Sequence, residues 1–280
     1  MFEITNVLAY RFFDDKYTLR NNGYAGGDKM SIHQFILMGS IFVIIILLSV
    51  LIKKSKNKNL LINIYKVLSI VMPILEIAKI SFETHFDLLN GETFNYGGIL
   101  PFYTCSMLMY FLPFVAWGKG RMKQYSMAFF STIGLVAGLS NFVYLSAAGW
   151  YPLLTFGCMH SILYHSAIVF VGISLMITGT YTPTFKSIIE GMIPILLFSA
   201  FIIPINFIIR KYTNDTWVDY MLLMDANGFI PFISDFFHEH HIILLFSFLM
   251  LFVGYPIATA LITLIDMGII KFVKLFKKNS

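Results

Sequence analysis

A cysteine and a histidine, two residue types that together perform acyl chemistry, stand in apolar stretches of this chain. A thiolate is a strong nucleophile, and an imidazole can accept its proton and later return one to a leaving group. The chain has two cysteines, Cys105 and Cys158, and we favour Cys105 with His165 as the pair for acyl transfer. Cysteine is also an ordinary small apolar core residue, so packing is the alternative role.

Other polar residues within apolar stretches are candidates for substrate binding. Glu76 and Lys79 are three residues apart and can neutralise one another on one helix face. His160 and His165 are five apart, about 140° around a helix, so both cannot point squarely at one centre. The substrate-binding candidates are Glu76, Lys79, Tyr103, Asn141 and His160.

A run rich in histidine and carboxylate stands before the last apolar stretch. Imidazole and carboxylate groups suit zinc and other divalent ions. Because the run has no defined ligand spacing, we interpret it as an interfacial loop and predict neither a metal site nor a cofactor. The run consists of Asp235, His238, Glu239, His240 and His241.

The composition indicates that these residues are carried by membrane-spanning helices. The chain is 58% hydrophobic and 12% charged, with a mean hydropathy of +0.75, which is more apolar surface than one soluble core can hide. We therefore predict an all-α, polytopic transmembrane bundle of about seven helices. The predicted spans are 31–52, 60–82, 98–117, 125–146, 157–179, 188–209 and 241–270.

Lysine and arginine residues predict the orientation of the spans. They fill the first, third and fifth loops and the C-terminal end, which are therefore expected to face the cytoplasm. We predict an extracytoplasmic tail at 1–30, a seven-helix domain at 31–270 and a basic cytoplasmic tail at 271–280, in a multi-pass protein of the cell membrane. We interpret the formal charge of +5 as part of this orientation signal and not as a nucleic-acid site. The expected partner is therefore membrane lipid. The oligomeric state stays open.

Alternating span directions bring several candidates to one depth. Glu76, Cys105, Asn141 and His165 come from four different spans and are all expected in the outer half of the bilayer. Intramembrane ionisable residues usually serve a function, so this layer predicts a polar cavity that opens outward. The alternative is that these groups only cross-link helices through buried hydrogen bonds.

Three segments of the chain resemble the YwaF-like bacterial integral membrane family. Residues 100–106, Leu-Pro-Phe-Tyr-Thr-Cys-Ser, are similar to its Leu-Pro-x-x-x-Cys-Ser signature, and Glu76 is similar to its intramembrane glutamate. Residues 165–169 and 182–187 are similar to its later histidine helix and the proline-containing loop that follows. Ser166 stands where we expect glycine, and the distance between the Cys and His motifs differs, so His160 stays a second candidate.

The resemblance implies a function, because a eukaryotic endoplasmic-reticulum relative is a cysteine-dependent acyltransferase of ether phospholipids. It implies Cys105 as the acyl acceptor and His165 as the general base, with Glu76 and Asn141 as positioning groups. The leading hypothesis is thus a lipid acyltransferase or acyl hydrolase with an acyl-lipid substrate. The alternatives are a membrane transport or solute-binding protein with an outward-facing polar cavity, and a structural partner without chemistry.

Overall fold

The computed structural model describes residues 11–22, 32–55, 57, 59–143, 151–213, 218–224 and 243–279. These residues form helices and no strand, which confirms the predicted all-α polytopic bundle. Within the same residues, five helices are long and apolar enough to cross a membrane. They are Ile32–Lys54, Leu60–Leu89, Phe156–Thr178, Phe185–Thr213 and Leu244–Gly268.

The helices follow one another along the chain in two halves. The first half contains α1 (Lys16–Asn21), α2 (Ile32–Lys54), α3 (Leu60–Leu89), α4 (Tyr96–Ile99), α5 (Met107–Ala116), α6 (Gly120–Phe130) and α7 (Ile133–Val143). The second half contains α8 (Phe156–Thr178), α9 (Phe185–Thr213), a 3₁₀ turn (Tyr220–Leu222), α10 (Ile243–Leu249), a π-helical segment (Met250–Gly254) and α11 (Tyr255–Asn279).

The predicted span 98–117 is not one helix. Residues 100–106 form turns between α4 and α5, and Cys105 lies in these turns. Non-helical backbone at membrane depth is tolerated only where protein or water satisfies it. Here Tyr103 donates its hydroxyl proton to the carbonyl of Gly97 at 2.6 Å, which ties the turns back to α4.

The predicted span 125–146 is also interrupted, at Ser131 and Thr132 between α6 and α7. Both hydroxyls bond to carbonyls of the preceding turn, Ser131 to Met127 at 2.9 Å and Thr132 to Ala128 at 2.7 Å. Both residues are fully buried. Such back-bonding competes with regular helix, so the break is stable inside the bundle.

Helix α8 is the most buried of the five spans and packs against α2, α3, α6 and α7. Two glycines permit these close approaches. A Cβ on Gly172 would lie 2.5 Å from the carbonyl oxygen of Phe130, and one on Gly138 would lie 2.8 Å from the side chain of Val169. The broken span α6–α7 therefore packs directly on α8.

Helix α1 is fixed to the end of α3. Asp15 caps α1 by accepting the backbone N–H groups of Tyr17 and Thr18. Lys16 Nζ lies 2.6 Å from Asp87, and the Tyr17 hydroxyl donates to Asp87 at 2.9 Å.

Burial raises the pKa of the Tyr17 phenol, and its bond to Asp87 raises this pKa further. Burial lowers the pKa of Lys16, but Asp87 more than offsets this and holds it above its usual value.

Candidate functional site

Helices α3 and α8 meet through a buried contact between Glu76 and His160. Nε2 of His160 lies 3.1 Å from Oε2 of Glu76, and the two residues are 9% and 4% exposed. The second carboxylate oxygen, Oε1, lies 3.5 Å from Nζ of Lys79, one turn further along α3. The spacing of Glu76 and Lys79 thus predicted their pairing correctly, whereas the contact with His160 is a tertiary feature.

Lys79 interacts with a second carboxylate, that of Glu83, and with the thiol of Cys105. Oε1 of Glu83 accepts the hydroxyl proton of Tyr151 at 3.4 Å. Sequence analysis did not select Glu83. The signal was present, because a residue four positions after Lys79 and seven after Glu76 shares their helix face.

Cys105 lies immediately before the N-terminal end of α5 and is partly exposed. Its thiol is within electrostatic range of Glu76 and Lys79. Its neighbour Thr104 is fixed by Tyr255: the Tyr255 hydroxyl donates to the Met221 carbonyl, so Thr104 donates to Tyr255 at 2.9 Å. The turn that carries Cys105 is therefore anchored to Tyr255, the first residue of α11.

His165 has a defined ring orientation. Nδ1 lies 2.8 Å from the carbonyl oxygen of Ser161, and a carbonyl oxygen only accepts, so Nδ1 carries the proton. In the neutral ring Nε2 then holds a free lone pair, which a general base requires. Among the described residues no hydrogen bond joins His165 to Cys105, so their pairing stays a prediction.

The two histidines of α8 lie on either side of an aromatic ring. Tyr164 stacks on His160 with ring centroids 5.6 Å apart, and its ring lies 6.5 Å from that of His165. His160 faces Glu76, whereas His165 bonds to its own helix, as their spacing of five residues led us to expect. Sequence analysis did not select Tyr164, because a tyrosine between two histidines also fits an apolar helix face.

Asn141, the run 235–241 and Tyr103 are predicted features that are not part of the described cluster of Glu76, Lys79 and His160. Asn141 belongs to α7, but its side chain is outside the described residues, as is the whole run 235–241. Among the described residues, no group of three or more His, Cys, Asp or Glu is arranged to hold a metal ion. The Tyr103 hydroxyl is bonded to Gly97, so it serves the scaffold of the turn.

A polar cavity of about 630 Å³ lies at the end of α3, not at the predicted substrate-binding residues. Two cations and two anions line it, together with a stretch of polar and aromatic residues. The lining residues are Lys16, Tyr17, Arg20, Asp87, Glu92, Thr93, Phe94, Asn95, Tyr96 and Thr213. The charged residues of α3 therefore extend from Glu76 and Lys79 through Glu83 to this cavity.

Comparison with known families gives one match, which covers most of the chain. The model of the TMEM164 family matches residues 29–261. The matched range contains Glu76, Cys105, His160 and His165. Neither a curated protein nor a solved structure matches the chain.

Proposed function

This chain belongs to the TMEM164 family of membrane proteins, and from that premise we propose that it is an enzyme that transfers or hydrolyses a lipid acyl chain through a thioester on Cys105. The observation that carries the proposal is the buried cluster of Glu76, Lys79 and His160, within electrostatic range of the Cys105 thiol. Ionisable groups inside a span are costly, and they mark functional sites by default.

Charges of both signs lie within electrostatic range of the Cys105 thiol, and burial favours its neutral form. The Lys79 ammonium favours a negative charge on sulfur. Glu76 opposes that charge, but it is itself engaged by His160 and Lys79. Lys79 and His160 therefore compensate the charge of the buried Glu76 carboxylate beside the Cys105 thiol.

His165 is the proposed general base. The thiol proton passes to Nε2 of His165, and the sulfur forms a bond to the acyl carbon of the lipid. The C–O ester bond then breaks, and the imidazolium returns the proton to the leaving alcohol. A second alcohol or water gives its proton to the imidazole and attacks the thioester. The C–S bond breaks, and the imidazolium returns this proton to the Cys105 sulfur. His160, paired with Glu76, positions α8 against α3.

The resemblance described above implies Cys105 as the acyl acceptor and His165 as the general base, and the proposal adopts these roles. We also propose the substrate class, the orientation of the chain and the depth of the site in the bilayer. The substrate is an acyl lipid of the cell membrane, the N-terminal side of the chain faces outward, and the cluster lies in the outer half of the bilayer. Asn141 and Tyr103 stay proposed contributors to substrate binding.

Purified protein in lipid nanodiscs, supplied with a phospholipid that carries a fluorescent acyl chain, tests the proposal. We expect release or transfer of that chain by the wild type and by Cys158→Ala, which removes the other thiol. Cys105→Ala and His165→Ala should lose the activity. Unchanged turnover in Cys105→Ala would contradict the proposed chemistry.

A solute-binding or transport protein is the second candidate, and the charged cavity beside Lys16 and Glu92 favours it. In that case the cavity would admit the solute, and Glu76, Lys79, Asn141 and His165, which are not among its described lining residues, would serve as further ligands rather than as reaction partners. Binding or uptake would then survive in Cys105→Ala and be lost in Glu76→Gln. The acyltransferase proposal predicts that Cys105→Ala abolishes turnover even when substrate binding is retained.

A further inference from the structure

The buried hydroxyl of Tyr164 donates no hydrogen bond to any residue that the structure describes. Tyr164 lies in α8 one turn after His160 and is 3% exposed. Within the part of the chain that the structure describes, its Oη donates to no acceptor. An unsatisfied buried hydroxyl costs about 1–3 kcal/mol, so its presence requires an explanation.

The position of the hydroxyl relates it to the reacting sulfur. Tyr164 is within electrostatic range of Cys105 and Glu76. The backbone N–H of Met109, in the first turn of α5, also faces the phenol oxygen, and it can only donate. The phenol proton itself therefore stays available for an acceptor that is brought to Cys105.

The neighbouring hydroxyls are already engaged. Tyr103 donates to Gly97, Tyr110 donates to the Pro101 carbonyl at 3.3 Å, and Thr104 donates to Tyr255. Tyr164, by contrast, has a hydroxyl that donates to no acceptor among the described residues. Preorganised donors of this kind stabilise the oxyanion of acyl transfer because they need no rearrangement during the reaction.

We propose that Tyr164 is a further catalytic residue, which donates a hydrogen bond to the carbonyl oxygen of the acyl group as Cys105 adds to it. This inference rests on the proposed function. When the S–C bond forms, the electron pair of the C=O double bond moves to oxygen, and the Tyr164 hydroxyl stabilises that negative charge while it keeps its proton. The pair then returns to restore C=O, the C–O bond to the leaving alcohol breaks, and His165 protonates this alcohol.

Tyr164→Phe tests the inference, since it removes only the unpartnered hydroxyl. We expect the rate of Cys105 acylation to fall about 100- to 1000-fold, the size of effect seen when one oxyanion donor is lost. KM should stay within about twofold, because the bond strengthens only as charge develops. Tm should change little, because the hydroxyl donates no native hydrogen bond to a described residue.

Tyr65→Phe is the matched control. The Tyr65 hydroxyl is buried in α3 and paired with Ser174 at 2.8 Å, so its loss should lower Tm while the acylation rate is retained. Acylation of Tyr164→Phe at the wild-type rate, or a lowered Tm that accounts for its loss of rate, would overturn the role of Tyr164 and leave the thioester mechanism standing. A wild-type protein that forms no thioester on Cys105 would overturn both.

Discussion

Oε2 of Glu76 lies 3.1 Å from Nε2 of His160, and this contact joins the middle of α3 to the first half of α8. Both groups are buried, so each is stable there only while the other and Lys79 compensate it. Removing one partner of a buried pair leaves an uncompensated polar group, which is more harmful than removing both. The pair therefore couples the helix that carries the charges to the helix that carries both histidines.

A double-mutant cycle measures this coupling. We expect His160→Gln and Glu76→Gln each to lower the free energy of unfolding by about 3 kcal/mol, the typical cost of breaking a buried pair. The double variant should lose clearly less than the sum of the two. Denaturant unfolding in detergent micelles gives the three values, and simple additivity would mean that the side chains do not interact.

The attachment of α1 depends on Asp87, which is buried and contacts both Lys16 and Tyr17. Asp87→Asn should increase amide hydrogen exchange in α1 at least several-fold. Lys186→Gln removes the exposed lysine that lies 2.9 Å from the buried Glu190, far along the sequence from α1, and should leave that exchange unchanged. Amide protection of α1 in Asp87→Asn that equals the wild-type protection would contradict this anchoring role.

The same contact predicts a pH dependence. The pKa of Lys16 is raised in the folded protein above its ordinary value of 10.5. A raised cation pKa stabilises the fold fully below the unfolded pKa, and this contribution is lost as the pH rises through the folded pKa. Protection of α1 should therefore be constant from neutral pH to about pH 10 and decline above it. The decline should be smaller in Lys16→Met, in which only the Tyr17 phenol still titrates beside Asp87.

Gly172 determines how closely α8 approaches the break between α6 and α7. Gly172→Ala places a methyl group 2.5 Å from the Phe130 carbonyl oxygen, so we expect a loss of about 1–3 kcal/mol from overpacking. Gly39→Ala in α2 is the control, because nothing lies within 4 Å of its added Cβ. Thermal unfolding of the two variants should separate them by several degrees, and equal Tm values would be inconsistent with the close approach.

Hydropathy predicted the continuous spans well, because length and apolar composition alone decide whether a helix can cross a bilayer. It did not predict the break at Ser131 and Thr132. Isolated Ser and Thr residues are also common within membrane helices, and only their bonds to Met127 and Ala128 reveal the turn. The turns that carry Cys105 were missed for a similar reason, since their backbone is anchored by residues distant in sequence.

The candidate site was predictable where it depends on helix periodicity, as for Glu76 and Lys79. The partner of Glu76 was not, since spacing cannot decide which of His160 and His165 faces α3. Tyr164 could not be selected either, because its relevance depends on a hydrogen bond that its hydroxyl lacks. Periodicity gives the face of a residue, whereas tertiary packing gives its partner.

Intact-protein mass spectrometry of the purified protein, after incubation with an acyl phospholipid, tests the central claim most directly. We predict a mass increase of one acyl chain that hydroxylamine removes, as expected for a thioester. The adduct should be present in the wild type and in Cys158→Ala, and absent from Cys105→Ala. No adduct in the wild type, or the same adduct in Cys105→Ala, would contradict the claim that Cys105 carries the acyl group.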